Sequence, residues 1–362
     1  MKAFVKLFLG LSLLFGVEIA YAETTVEYGI TAVGQTLSKE SDKVTTAGLG
    51  SIDLVLDTDI VGGTLHVYVE AASDTLGSAS ELIEGSNYDA GSVKYRETTG
   101  RAQLSEISYE LDFISYSVLV GLRDLFSFVD QNSSSNDETS QFLSAPLVNN
   151  TTIAMPEYAP CAVLNYGYKD STNMTFMVAS GYGVNDAGGG GFHGLKEGYT
   201  TSGQKKGVFA LAELRMVDQD VWLSVGAWTN TREAAPLQGS YLNLDSAAND
   251  DYQWSLRVAQ NDEAVGMNNY GAFSVAIPFG DDALGLGLAV QKFAVVTDTI
   301  DHTTTFETYY RWQIADGISL TPDIQYWRNA NSLLASDAGT GQIGGNLLVY
   351  GLRLQIDGTS TF

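Results

Sequence analysis

Phe306-Glu307-Thr308-Tyr309-Tyr310-Arg311-Trp312-Gln313-Ile314 sets Phe306, Tyr310, Trp312 and Ile314 against Glu307, Tyr309, Arg311 and Gln313. A period of two is the signature of a β-strand with one apolar and one polar face. Glu307 and Arg311 stand in the middle of the segment, so the polar face must meet water or a charged partner.

The same pattern recurs along the chain. Val26, Tyr28, Ile30 and Ala32 alternate with Thr25, Glu27, Gly29 and Thr31, and Ile107, Tyr109, Leu111 and Phe113 with Ser108, Glu110 and Asp112. Tyr252, Trp254, Leu256 and Val258 flank Gln253, Ser255 and Arg257, and the last stripe runs from Leu348 to Ile356 around Arg353. About fifteen such segments can be counted, with a further one expected between Val93 and Leu104. Short polar turns, such as Gly280-Asp281-Asp282 and Ala315-Asp316-Gly317, join some pairs, and long segments join others.

Short turns on one side and long loops on the other mark a transmembrane antiparallel β-barrel with short periplasmic turns and long extracellular loops. A soluble sandwich also alternates, but a single domain this long is large for that design. Charges at mid-strand, as in Glu213 with Arg215, fit a watery lumen better than a dry core. Closure and length give about 16 strands, a count that leaves a water-filled channel. Tyr166, Tyr168, Trp228, Tyr326 and Trp327 lie near strand ends, where a barrel carries its aromatic girdles.

Composition narrows the chemistry. The chain has 362 residues, 43 acidic against 19 basic, and a net charge of −24, which disfavours nucleic acid as a partner. Its one cysteine, Cys161, cannot form an intramolecular disulfide, and three histidines leave little for a metal centre, so no cofactor or metal is expected. Lys2 and Lys6, the apolar stretch from Leu7 to Val17 and Ala20-Tyr21-Ala22 read as an export signal cleaved after Ala22. Residues 23–362 are then one barrel, exported to the cell outer membrane.

Two stretches stand apart from the strands. The run from Asp130 to Glu138 is either a solvated outer loop or a segment folded into the lumen, with Phe142, Leu143, Pro146 and Leu147 needing somewhere to pack. Gly183 to Gly203 is glycine-rich but lacks the lysine signature of a phosphate-binding loop, so it reads as a flexible loop. No nucleophile elbow or His-Glu-x-x-His motif is present, so an enzyme is not expected. A barrel hydrolase using His66 with a serine is the alternative of another class.

The closing strands carry a family likeness. Glu307 to Ile314, then Ile318-Ser319-Leu320-Thr321-Pro322-Asp323-Ile324-Gln325-Tyr326, then Leu352-Arg353-Leu354, resemble the carbohydrate-selective porins of the OprB family. Val120-Gly121-Leu122-Arg123-Asp124-Leu125, followed by Phe128, Asp130 and Asn132, resembles that family's strand leading into its central loop. Trp327-Arg328-Asn329-Ala330 departs from the asparagine-proline of the family, and Phe362 fits an aromatic C-terminal ending. The resemblance implies passive diffusion of small hydrophilic solutes, biased to carbohydrates, and allows a homotrimer.

Sugar hydroxyls bond well to charged and amide side chains. Alternation makes Glu307, Arg311, Asp323, Gln325, Arg353, Arg257, Glu27 and Glu110 the lumen-side candidates for solute contact, with wall salt bridges as their other possible role. A general or cation-selective porin without a sugar site is the alternative function, since an acid-rich mouth favours cations.

Overall fold

The computed structural model describes residues 23–38, 44–72, 85–88, 101–167, 172–184, 207–218, 221–232, 236–246, 252–264, 267–297, 300–330 and 346–362. The export signal (residues 1–22), His193 and most of the glycine-rich stretch lie outside these residues.

Sixteen strands follow in order. They are β1 Thr24–Ser38, β2 Val44–Ile60, β3 Gly63–Ala72, β4 Arg101–Asp112, β5 Tyr116–Arg123, β6 Ala159–Gly167, β7 Asn173–Ser180 and β8 Val208–Asp218, then β9 Val221–Asn230, β10 Leu237–Ser246, β11 Gln253–Asn261, β12 Met267–Phe279, β13 Asp282–Thr297, β14 Ile300–Ala315, β15 Ile318–Arg328 and β16 Leu347–Thr361. Each pairs antiparallel with its chain neighbours, and β1 pairs with β16 from Thr25↔Thr361 to Ser38↔Leu348, so the sheet closes. Closure removes every free edge, which a backbone in hydrocarbon requires. Phe362 seals the seam, donating its N–H to Thr24 O at 2.9 Å and accepting the Thr24 N–H at 3.2 Å.

The strand expected between Val93 and Leu104 is not the one that completes the count. Residues 93–100 lie outside the described set, and 101–104 simply open β4. The sixteenth strand is β10, whose outward side carries Gln238, Ser240, Leu242 and Leu244, too few apolar residues to announce itself.

Short turns gather at one end. Val61 and Gly62 both take positive φ between β2 and β3, the left-handed pair that a tight hairpin needs. Gly280 and Gly317 do the same after β12 and β14. Around this end Tyr28, Phe113, Tyr116, Tyr166, Tyr252, Phe279 and Trp312 point outward as a girdle. Between the ends the outward faces are apolar, with Ile52, Val120 and Val178 each more than half exposed. Trp228 and Trp327, read from sequence as girdle residues, instead point inward and are buried. Trp228 stacks with Phe209 at 6.3 Å, and Trp327 Nε1 donates to Gln325 Oε1 at 3.0 Å. Tyr168 lies outside the described residues.

The β5–β6 connection, residues 124–158, is what gives the barrel an interior. It folds into the lumen, choosing the second of the two roles open to it from sequence. Leu125, Val129, Phe142, Leu143, Leu147 and Val148 are all buried. A short helix, α1 (Ala145–Val148), starts with Pro146 in its first turn and lies against β12 and β13. The wall makes room with small residues. A side chain at Gly287 would meet Leu147 Cδ1 at 2.5 Å and Phe142 at 2.8 Å. Burying each of these large side chains stabilises docking by about 1.5–3 kcal/mol.

Candidate functional site: a pore narrowed by its own loop

The polar faces of β8–β16 are spent on holding the loop. Glu307 accepts the backbone N–H of Leu143 at 2.6 Å on Oε1 and that of Ser144 at 2.9 Å on Oε2. Arg257 donates to Leu147 O (2.7 Å), Val148 O (3.1 Å), Ser135 O (2.9 Å) and Ser135 Oγ (2.6 Å), and pairs with Asp130 at 3.3 Å. Arg353 donates to Glu138 O at 2.7 Å and Gln141 O at 2.9 Å. The guanidinium fork suits this work because it presents several donors in one plane to carbonyls that would otherwise be buried unpaired.

Further wall residues complete the clamp. Glu213 accepts the Asp130 N–H at 2.8 Å, and Asp245 takes the Ser133 hydroxyl at 2.8 Å. Tyr270 donates to Pro146 O at 2.6 Å, and Asn261 to Thr152 O at 2.9 Å. A second inward segment, residues 85–88, joins in. Ser86 O accepts from Gln35 at 2.8 Å and Gln325 at 2.7 Å, and Tyr88 N–H donates to Leu143 O at 2.7 Å.

This arrangement divides the eight sequence candidates. Glu307, Arg353, Arg257, Asp323 and Gln325 point inward as alternation required, yet each is at most 2% exposed and covered by the loop, so a solute in the open lumen does not reach them. Covering them was not visible in the strand pattern, because the loop's position is a long-range matter. Arg311 and Glu110 stay partly open, and Glu27 is exposed.

The side of the lumen left open runs along β1–β8 and the turn end of β16, and carboxylates line it. Two hollows lie towards the short-turn end. One, of about 330 Å³, is lined by Glu27, Asp53, Tyr68, Glu138 and Asp357. The other, of about 670 Å³, is lined by Glu110, Asp112, Asn165, Thr175, Glu213 and Arg215, with Phe128 of the loop. Between them, Asp57 Oδ1 meets His66 Nδ1 at 2.7 Å, His66 Nε2 meets Glu106 Oε2 at 2.9 Å, and Arg123 meets Glu106 at 3.0 Å. His66 thus sits between two carboxylates, hydrogen-bonded through Nδ1 to Asp57. Sequence reading passed over Asp57, Glu106 and Arg123, although their positions on polar strand faces could have marked them.

Two loop carboxyls are perturbed. Burial pushes Asp130 up to about 7, outweighing the nearby Arg257, with Glu213 adding to the rise. Burial and Glu106 push Asp124 up to about 7, against a hydrogen bond from the Phe126 N–H and the Arg123 charge. Among the described residues, no group of three or more His, Cys, Asp or Glu side chains is disposed to hold a metal ion.

Residues 267–357, which build β12–β16, match the family model described as carbohydrate-selective porin, OprB family. Over that segment the chain is similar to the OprB porins. Among solved structures, the high-pH form of Pseudomonas putida OprB superposes with a TM-score of 0.68 at 13% identity, covering 93% of this chain and 94% of that one. A mutant Rhodopseudomonas blastica porin gives 0.51 at 13%, covering 93% and 100%. At such identities the likeness speaks for the fold. No curated protein matches the sequence. The matched segment contains Arg257's neighbours on β12 together with Glu307 and Arg353, so the family signal falls on much of the wall that clamps the loop.

Proposed function

We propose that this chain is a porin, an outer-membrane channel for passive diffusion of small hydrophilic solutes, biased to neutral carbohydrates. The observation that carries the reading is the pair of hollows left uncovered by the docked loop, in which aromatic rings stand beside carboxylates, Asn165, Thr175 and Tyr68. Such groups exchange hydrogen bonds with sugar hydroxyls at little net cost, which suits a ligand that must enter and leave. In this reading the sequence candidates that the loop leaves uncovered, Arg311, Glu110 and Glu27, contact the passing solute, and Phe128 offers it a ring face.

A cation preference is the second reading, favoured by four lining carboxylates, Glu27, Asp53, Glu138 and Asp357, in the smaller hollow. Residues 1–22 serve as the cleaved export signal, and a homotrimer is the assembly consistent with this reading. The test is single-channel conductance of the refolded chain in a planar bilayer, titrated with glucose, maltose and a charged solute. Saturable reduction of ion current by a neutral sugar supports the carbohydrate reading. Current indifferent to every sugar leaves a general, cation-preferring porin.

A further inference from the structure

The lipid-facing wall carries a feature that diffusion through the lumen does not use. Across β9–β13 the register links Val225, Leu242, Val258, Gly271 and Val290 into one outward row. Two residues nearer the loop end, a second row runs Ser240, Gln260, Asn269, Lys292 and His302. The first row and Ser240, Gln260, Asn269 and Lys292 of the second line an open groove of about 500 Å³, with His302 beside it on β14. The dent is centred on Gly271, where a side chain would meet nothing closer than the Arg257 carbonyl at 3.8 Å, so packing within the wall does not demand glycine there.

The charges at this groove run against the rest of the molecule. In a chain of net charge −24, the arginines Arg123, Arg215, Arg257, Arg311 and Arg353 all face the lumen. Among the described strand side chains, the basic ones that point outward are Lys292 and Arg328, both at the loop end, with His302 beside Lys292 on β14. Thr304 pairs with both Val290 and Arg328, which sets Arg328 two strands from the groove. Cross-strand neighbours lie about 5 Å apart, so Lys292 and His302 are adjacent, and Arg328 stands about 10 Å or more from Lys292 across β14, a gap that two long side chains can close on one anion between them. Asp262, in the β11–β12 loop, accepts the Gln238 N–H at 2.8 Å.

We propose that this groove binds a phosphorylated lipid of the outer leaflet, with an acyl chain along Val258, Gly271 and Val290 and its phosphate held by Lys292, His302 and Arg328. The inference goes beyond solute passage and needs only that the barrel spans the outer membrane. An apolar channel leading to a cationic rim at the membrane boundary is complementary to such a lipid, whereas a free anion would leave the apolar row unused.

The full chain, reconstituted in phosphatidylcholine nanodiscs containing a small fraction of bis-phosphorylated lipid A, is examined by native mass spectrometry. Wild type is expected to retain lipid A, and K292Q/R328Q to lose about tenfold or more in affinity through two charge-assisted contacts. G271L keeps the charges but fills the groove, and should lose retention as well. Neither variant faces the lumen, so single-channel conductance should stay at the wild-type value, which also reports correct folding. Equal retention by wild type and K292Q/R328Q overturns the proposal, as does displacement of lipid A by inorganic phosphate alone. So does a groove covered by a second copy of the chain, seen as a dimer or trimer mass that G271L abolishes without any lipid A in the wild-type complex. A channel lacking sugar block but retaining lipid A would sink the carbohydrate reading and leave this one standing.

Discussion

Replacing Arg257 by methionine tests whether the buried charges exist to dock the loop. Methionine keeps the stem and much of the volume but removes the fork that reaches Asp130, Ser135, Leu147 and Val148. Three loop carbonyls then lose their charged donor, and Asp130 is left buried beside Glu213. Removing one partner from a buried ion pair costs about 3–5 kcal/mol. At 1.4 kcal/mol per tenfold, the docked-to-lifted ratio of the loop falls between about a hundredfold and a few thousandfold. The lower end applies at acidic pH, because Asp130 then takes up a proton and sheds its charge, and the upper end applies at alkaline pH. Arg257→Lys, a point charge without the fork, should fall between the two. The assay is amide exchange of the segment around α1 in detergent, paired with single-channel current. Faster exchange there, with larger and noisier open levels, is expected while β1–β16 stay protected. Unchanged exchange and current would refute the reasoning, since the loop would then be held without Arg257.

Four more expectations can be checked on the same preparations. Gly287→Val should push α1 off the wall, because its Cβ overlaps Leu147 and Phe142, and conductance should rise while the barrel still folds. Loop docking should weaken as pH rises. A carboxyl held near 7 when buried, as in Asp130 and Asp124, binds a proton in the docked state that it gives up once exposed at its ordinary value near 4. Docking is therefore tightest below about pH 4, is lost progressively up to about 7 and levels off above, and Asp130→Asn should flatten the part due to that residue, read as protease resistance of the loop against pH. Glu27→Gln with Asp53→Asn should lower the cation-to-anion permeability ratio, measured as reversal potential under a salt gradient, more than Glu307→Gln, whose carboxylate lies under the loop. Arg311→Ala should weaken sugar block of the current severalfold by removing an accessible donor, while Gln325→Ala should leave block unchanged to first order and lower thermal stability instead.

Local pattern was enough to determine the barrel. Alternation over β14, with Glu307 and Arg311 at mid-strand, fixes the strand, its two faces and the need for water on one of them. Repeated around a chain of this length, it leaves little but a closed sheet. Even the inward direction of Glu307, Arg257, Arg353, Asp323 and Gln325 follows from a period of two. Where alternation fades, as in β10, or where an aromatic stands on the inward parity, as in Trp228 and Trp327, local pattern misleads, because composition near a strand end does not say which face a residue occupies.

What those inward residues do was decided by tertiary structure alone. Whether residues 130–147 fold in or out depends on contacts with wall residues more than a hundred positions away, such as Ser133 with Asp245 and Leu143 with Glu307. Nothing in the local sequence distinguishes a polar loop in water from one that finds its partners inside a barrel. That choice turned the strongest charged candidates into clamps. It left Glu27, Asp53 and Glu110 lining the hollows that stay open, and a side chain can contact a diffusing solute only where the docked chain leaves it uncovered.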